Sequence, residues 1–237
     1  HPQCAVNPRT AFEHVYPASP PPAAVPKKVA VVGAGPAGVV TAVTAAKRGH
    51  QVTLIEKSQA IGGRLIPGSV PRIKFDVDNY RRYLERQVDL ACRENGMTYR
   101  PGTAVTADWL AAQQFDAVVV ATGTVDTQLP LPGAETAPLV QAADLLVHPE
   151  KAAAARYVVV VGGGTVGCEM ALWLRQELGK EVKVLEMTPY IMNHVCTANR
   201  GHLIHTLHKS GVELLNCTRV TGFTPEGILA VRNVSPT

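Results

Sequence analysis

The sequence predicts an α/β fold in which one parallel βαβ arrangement occurs twice. Three observations carry this expectation. An aliphatic strand, a glycine-rich turn, a helix and a second strand closed by a glutamate follow one another at residues 29–56 and again at 157–186. The two copies lie about 130 residues apart, an internal duplication that a single unit does not explain. Aromatic residues make up only 5% of the chain while glycine fills 20 positions, the balance expected where buried parallel strands are Val- and Ala-rich runs.

The elements follow in order. Residues 1–26 are irregular, and the stretch 16–26, with Pro17, Pro20, Pro21, Pro22 and Pro26, is expected as a stiff extended linker. Residues 29–32 form a strand, 36–48 a helix with Gly49 at its left-handed C-cap, and 52–55 the second strand. Tyr80, Tyr83, Leu84, Val88 and Ala91 recur at helical spacing, which predicts a helix over 78–95 stopped by Gly96. A strand near 97–100, a short helix from Asp108 and a strong strand at 117–121 come next. Residues 126–155 read as a connector broken by Pro130, Pro132 and Pro138, with one helix at 142–147.

The second copy comprises a strand at 157–161, a turn at 162–167, a helix over 166–178 stopped by Gly179, and a strand at 181–185. A helix at 198–210, a strand at 212–215 and a strand pair at 219–223 and 228–231 complete the chain. The expected division is a linker at 1–26, a first domain at 27–155 and a second at 156–237. The chain opens on His1 and stops at Thr237 inside what reads as a β-meander. It is therefore expected to be truncated at both ends, with strand edges exposed.

The two turns carry the chemistry. Gly33-Ala34-Gly35-Pro36-Ala37-Gly38 is a G-x-G-x-x-G run between strand and helix. Gly33 permits the tight turn, Gly35 leaves room for a pyrophosphate, and Gly38 lets helix and strand pack closely. The free N–H groups at the helix start, with the positive end of its dipole, suit phosphate. Glu56, with Lys57 beside it, falls 23 residues after Gly33, where a carboxylate accepts hydrogen bonds from ribose hydroxyls. The second run is Gly162-Gly163-Gly164-Thr165-Val166-Gly167, with Glu186 placed 24 residues after Gly162. Both units thus read as Rossmann-like dinucleotide-binding domains. A carboxylate at position 186 favours NADH, because it repels the 2′-phosphate of NADPH and no Arg or Lys stands at 187–190.

Other classes are disfavoured. A net charge of +4 without a basic tract makes no case for nucleic acid or a membrane surface. No apolar stretch is long enough to span a bilayer, and no signal peptide is evident. Cys4, Cys92, Cys168, Cys196 and Cys217 are scattered without a C-x-x-C pair, which argues against thiol–disulfide chemistry and for a reducing, cytoplasmic setting. The N-x-[ST] triplets at Asn216 and Asn233 are then chance matches. His202, His205 and His208, stepping by three around a helix, are expected on a solvated face, and Cys168 as a small buried residue.

Glu56 followed by Gly62-Gly63 resembles the extended fingerprint of the flavoproteins with two dinucleotide-binding domains, where it marks FAD. That resemblance implies that Gly63 and Arg64 approach the flavin pyrophosphate. The run Ala121-Thr122-Gly123 resembles the family's segment passing near FAD, and the second turn its inserted pyridine-nucleotide domain. At the N-terminus, Cys4-Ala-Val-Asn7-Pro8 before the linker resembles the junction of the 2,4-dienoyl-CoA reductase and trimethylamine dehydrogenase family. There an FMN barrel of the old-yellow-enzyme type joins a flavin/nucleotide module, with an iron–sulfur cluster between them, and Cys4 matches its last cysteine. The resemblance implies electron relay from NADH or NADPH through FAD, cluster and FMN to a small-molecule substrate in a barrel outside this chain. Two alternatives stay open: a module holding ADP as a structural ligand, as in the amine dehydrogenases, and an electron-input module like the glutamate synthase small subunit. No side chain is assigned an acid or base role.

Overall fold

The apolar run after the linker becomes strand β1 (Lys28–Val32) in a computed structural model that describes residue 4 and residues 6–233. The readings of the two ends at His1 and Thr237 lie outside these described residues. Contacts divide the chain into two units, one reaching to Val125 and one starting at Asp126.

In the first unit β1 turns into α1 (Pro36–Lys47), followed by β2 (Gln51–Ile55), α2 (Leu65–Gly68) and a 3-10 turn at Arg72–Lys74. Then come α3 (Phe75–Asn95), β3 (Thr98–Arg100), α4 (Ala107–Ala112) and β4 (Ala117–Val120). All four strands are parallel, in the order β3-β2-β1-β4, and Val31 pairs with Leu54 on one side and Val119 on the other. Val39 and Val43 of α1 and Leu84 and Val88 of α3 close over Val29, Val31 and Leu54. Gly38, Ala42 and Ala46 on the buried stripe of α1 carry little side chain, so this helix lies close on its strands. Each fully buried aliphatic side chain of this cluster contributes about 1.5–3 kcal/mol.

The second unit begins with the connector, which holds α5 (Ala142–Val147) and a 3-10 turn at Pro149–Ala152. β5 (Tyr157–Val161), α6 (Thr165–Gln176), β6 (Glu181–Leu185), α7 (Thr197–Lys209) and β7 (Glu213–Leu215) form a parallel sheet ordered β5-β6-β7 with its helices. The hairpin of β8 (Thr218–Thr224) and β9 (Gly227–Arg232) is antiparallel and separate. Leu145 and Ala152 join Leu172, Leu174 and Leu207 in the core. Leu131, Ala134 and Ala137 pack on Val220 and Phe223, and the Phe223 N–H donates to Pro132 O at 2.8 Å. The connector expected to close the first domain at residue 155 therefore makes its contacts inside the second unit.

Two further features depart from the sequence reading. α3 starts at Phe75 and is preceded by two short helical turns, because Phe75 and Ile73 are exposed and give no apolar periodicity. Aliphatic runs predicted buried parallel strands, yet Val120 of β4 is 72% exposed and Tyr157, Val159 and Val161 of β5 are exposed too. Both strands lie at a sheet edge and are covered on one face only.

The glycine ending each fingerprint is fixed by sterics. A Cβ on Gly38 would stand 1.8 Å from Gly33 O, and one on Gly167 1.9 Å from Gly162 O. Gly38→Ala and Gly167→Ala should each lower stability by about 3 kcal/mol, read from thermal melts by circular dichroism. An unchanged Tm in either variant contradicts this packing.

Candidate functional site

Each glycine turn is built around a backbone that bends where only glycine bends freely. Gly33 has φ +105° and Gly162 φ +106°, and each leads the chain from strand end to helix start within one turn. Gly35 and Gly164 are the N-caps of α1 and α6, neither helix has a side-chain cap, and each helix is 12 residues long. The first N–H groups of these helices have no partner within the helix, and Pro36 removes one such donor where none is needed. A Cβ on Gly35 or Gly164 would point into open space. A cradle of free N–H groups at a positive helix end, open where a side chain would block it, fits a pyrophosphate.

The glutamates clasp these turns. Glu56 is 8% exposed, and its Oε2 accepts the Ala34 N–H at 2.7 Å. Its Oε1 accepts the Ser58 N–H at 2.9 Å and the Ser58 hydroxyl at 3.0 Å. In the second unit Glu186 Oε2 accepts the Gly163 N–H at 2.8 Å and Oε1 the Thr188 N–H at 2.7 Å. Burial pushes the Glu56 carboxyl up, but the donors on Ala34 and Ser58 and the nearby Lys57 outweigh it and hold the pKa below the ordinary value. Glu186 is likewise lowered: burial works against ionisation, and the donors of Thr188 and Gly163 overcome it. Both carboxylates are thus acceptors at neutral pH, ready for a donating ribose hydroxyl.

The duplication runs further than glycines and glutamates. The Ser58 hydroxyl donates to Ala60 O at 2.9 Å and the Thr188 hydroxyl to Tyr190 O at 3.1 Å. Ile61 and Ile191 are both buried. The Gly62 N–H donates to Ala34 O at 2.9 Å, and the Met192 N–H to Gly163 O at 2.7 Å. Sequence reasoning missed Ser58 and Thr188. Aligning Glu56-Lys-Ser58-Gln-Ala-Ile61 with Glu186-Met-Thr188-Pro-Tyr-Ile191 would have found them.

The two turns differ in what surrounds them. In the first unit a Cβ on Gly33 would stand 2.3 Å from Ala121 O and 3.2 Å from Thr122 Cα, so the segment after β4 lies on the turn. Gly63 packs against Gly35, and Arg64 donates to Thr124 O at 3.0 Å, joining the paired-glycine loop to the segment containing Thr122 and Gly123. The structure therefore brings Gly33, Gly35, Gly38, Glu56, Gly63, Arg64, Ala121 and Thr122 together. In the second unit Gly162 meets nothing at this position, and Met192, Asn193 and His194 stand where the first unit has Gly62, Gly63 and Arg64. Arg200, also missed, returns on α7 to this loop: its Nε donates to Ile191 O at 2.8 Å and its guanidinium lies 5.8 Å from the Tyr190 ring centre.

The remaining candidates are quickly placed. Cys168 is fully buried, its thiol is pushed up to about 11 first by that burial, and its Sγ lies 3.5 Å from Gly163 O. His202, His205 and His208 are exposed. Cys4 is exposed, and donors of Val6, Asn7 and Thr10 hold its thiol below the ordinary value. All five cysteines are free thiols, and no described helix is long and apolar enough to cross a membrane.

Comparison with known proteins agrees with this geometry. Residues 27–236 match the family described as pyridine nucleotide-disulphide oxidoreductase. The chain is 37% identical over 231 residues to the NADH oxidase of Thermoanaerobacter brockii, covering 97% of this chain and 35% of that protein. It is 35% identical over 233 residues to the cinnamate reductase of Clostridium sporogenes, covering 97% and 33%. Its fold superposes on a solved 2-naphthoyl-CoA reductase with a TM-score of 0.87 at 32% identity, covering 97% and 34%. The chain thus spans about a third of the length of each relative. By name these relatives are one oxidase and two reductases. The family implies FAD and NAD(P)H as cofactors, and the two clasped turns are the places in this chain that suit them. On its sequence and on its fold, this chain belongs to the pyridine nucleotide-disulphide oxidoreductase family.

Proposed function

We propose that this chain is the electron-input part of a larger enzyme: it binds NADH at residues 162–167 and FAD at residues 33–38. On this reading electrons leave through an iron–sulfur cluster at Cys4 to FMN in a barrel domain, where an activated C=C bond of a small-molecule substrate is reduced. The observation that carries it is the asymmetry of the two turns. Only the first has paired glycines packed on its cradle, an arginine tied across it and a third segment over it, an enclosed setting suited to a resident flavin. The second is more open, as suits a nucleotide that must come and go. Two relatives are reductases of cinnamate and of 2-naphthoyl-CoA, both conjugated acyl compounds, which supports the substrate class.

FAD, when bound, supplies a centre that accepts two electrons and releases them singly. The chain supplies position. At the first site the N–H groups around Gly33, Gly35, Ala37 and Gly38 hold the pyrophosphate, and Pro36 presets the helix start. Glu56 takes the ribose, with Lys57 beside it, while Gly63, Arg64, Ala121, Thr122 and Gly123 line the approach. At the second, Gly162, Gly164, Thr165, Val166 and Gly167 hold the pyrophosphate and Glu186 the ribose. Cys4 would be the one cluster ligand that this chain contributes, the others lying in the larger enzyme.

The open space at Gly35 and Gly164 separates binding from folding. Gly35→Ala should leave Tm unchanged while weakening FAD binding at least about tenfold, and Gly164→Ala should do the same for NADH alone. Loss of both ligands in either variant contradicts the assignment. Wild-type protein should bind NADH more tightly than NADPH, and Glu186→Gln should narrow that gap by about tenfold. Because the Glu186 pKa is lowered, the preference holds from neutral pH down to the ordinary carboxylate value of 4.5 and fades as pH falls further and the group takes up a proton. A stronger affinity for NADPH, measured by nucleotide fluorescence titration, contradicts the NADH reading.

A further inference from the structure

In each unit an arginine from the helix beyond the glutamate loop reaches back to that loop. α3 follows β2 and α7 follows β6, each leading to the next strand of its sheet. In the first unit the stem of Arg81 lies on the loop, where a Cβ on Gly62 would stand 3.0 Å from Arg81 Cγ. In the second, Arg200 Nε donates to Ile191 O at 2.8 Å. The N–H of the same peptide, on Met192, donates to Gly163 O at 2.7 Å. Arg200 is thus one peptide group away from the glycine turn, with its guanidinium beside the exposed Tyr190 ring.

The two arginines differ in what becomes of their charge. Arg81 pairs with Asp78 at 2.9 Å and with Glu85, three residues before it and four after it on α3. α7 carries Thr197 and Ile204 at those positions, and among the described residues no carboxylate pairs with Arg200. Its hydrogen-bond partner is the neutral carbonyl of Ile191. Nor does the charge serve α7, because Arg200 sits in the first turn, at the positive end of the helix. A half-buried guanidinium without a counter-charge, its planar fork matched to phosphate oxygens, suits an incoming anion.

We propose that Arg200 binds a phosphate group of the nicotinamide dinucleotide at the second site. The inference rests on the reading of residues 162–167 as that nucleotide's turn. Such a ligand offers phosphate from two sources. The pyrophosphate would lie at the turn whose Gly163 carbonyl the Met192 N–H holds. The 2′-phosphate of NADPH would lie at Glu186, on the same loop, and there Arg200 would offset part of the repulsion from that carboxylate. In either case the cation missing from residues 187–190 arrives from α7.

The test is direct binding of NADH, NADPH and FAD to wild-type protein, Arg200→Gln and Arg200→Lys at low and high salt, with Tm measured for each. Glutamine keeps an N–H donor for Ile191 O and removes the charge, whereas lysine keeps both. Arg200→Gln should raise the Kd for the nicotinamide nucleotide about tenfold, flatten its dependence on salt, and leave Tm and FAD binding unchanged. Arg200→Lys should recover most of the affinity. An equal loss for NADH and NADPH identifies the pyrophosphate as the partner, and a loss for NADPH alone identifies the 2′-phosphate. If Arg200→Gln leaves both Kd values alone, or raises them only with a fall in Tm and an unchanged salt dependence, Arg200 merely holds the loop and the proposal falls. If wild-type protein binds FAD but neither nicotinamide nucleotide, the underlying reading of the second turn falls with it.

Discussion

A carboxylate at the end of a parallel strand, accepting the N–H of the middle residue of a glycine turn, is the contact on which both halves of this molecule depend. Glu56 on Ala34 and Glu186 on Gly163 tie strand end to helix start at 2.7 and 2.8 Å. A charge there would be costly if left unpartnered. Here backbone N–H groups satisfy it in both units, joined in the first by the Ser58 hydroxyl, and the positive end of the adjacent helix favours it further. The turn can then hold its positive-φ bend at Gly33 and Gly162 while its outer face stays open for a phosphate. Fold and site are one construction, which is why the same residues terminate the strand, aim the helix and wait for the ligand.

Because the clasp occurs twice with the same partners, differences between the copies carry functional meaning. The first unit adds β4 to the β1 edge, and the segment that follows closes over the turn through Ala121 and Thr122. Its loop then runs through Gly62 and Gly63, small enough to lie against Gly35. The second unit has no described strand beyond β5, and its loop carries Met192 and His194 in left-handed conformations at φ +54° and +63°. Met192 sends its side chain into the core of its own unit, so the corresponding loop there is held from below.

Most of this architecture was legible because period and punctuation agree. Strand runs, G-x-G-x-x-G spacing and Glu at the strand tip placed both βαβ units within a residue or two. What escaped notice lacks such a periodic mark. The short helical turns before α3 present Ile73 and Phe75 to solvent, so no apolar stripe announces them. The connector packs with the second unit through Leu131, Ala134 and Ala137 against Phe223, a pairing across some ninety residues that no local pattern encodes. Ser58 and Thr188 were hidden differently: a hydroxyl two residues after an acid is common, and only its repetition in both copies gives it weight. Arg200 reached the Glu186 loop through α7, which the rule of looking a few residues downstream does not anticipate.

The central claim is that the two clasped turns are two sites with different ligands. Backbone amide NMR on isotopically labelled protein tests this most directly, by titrating FAD and NADH separately and following the N–H resonances of the turns. FAD should shift Ala34, Gly35, Ala37 and Gly38 and leave Gly163 to Gly167 still, and NADH should do the reverse. Competition of both ligands for one set of resonances would contradict the account.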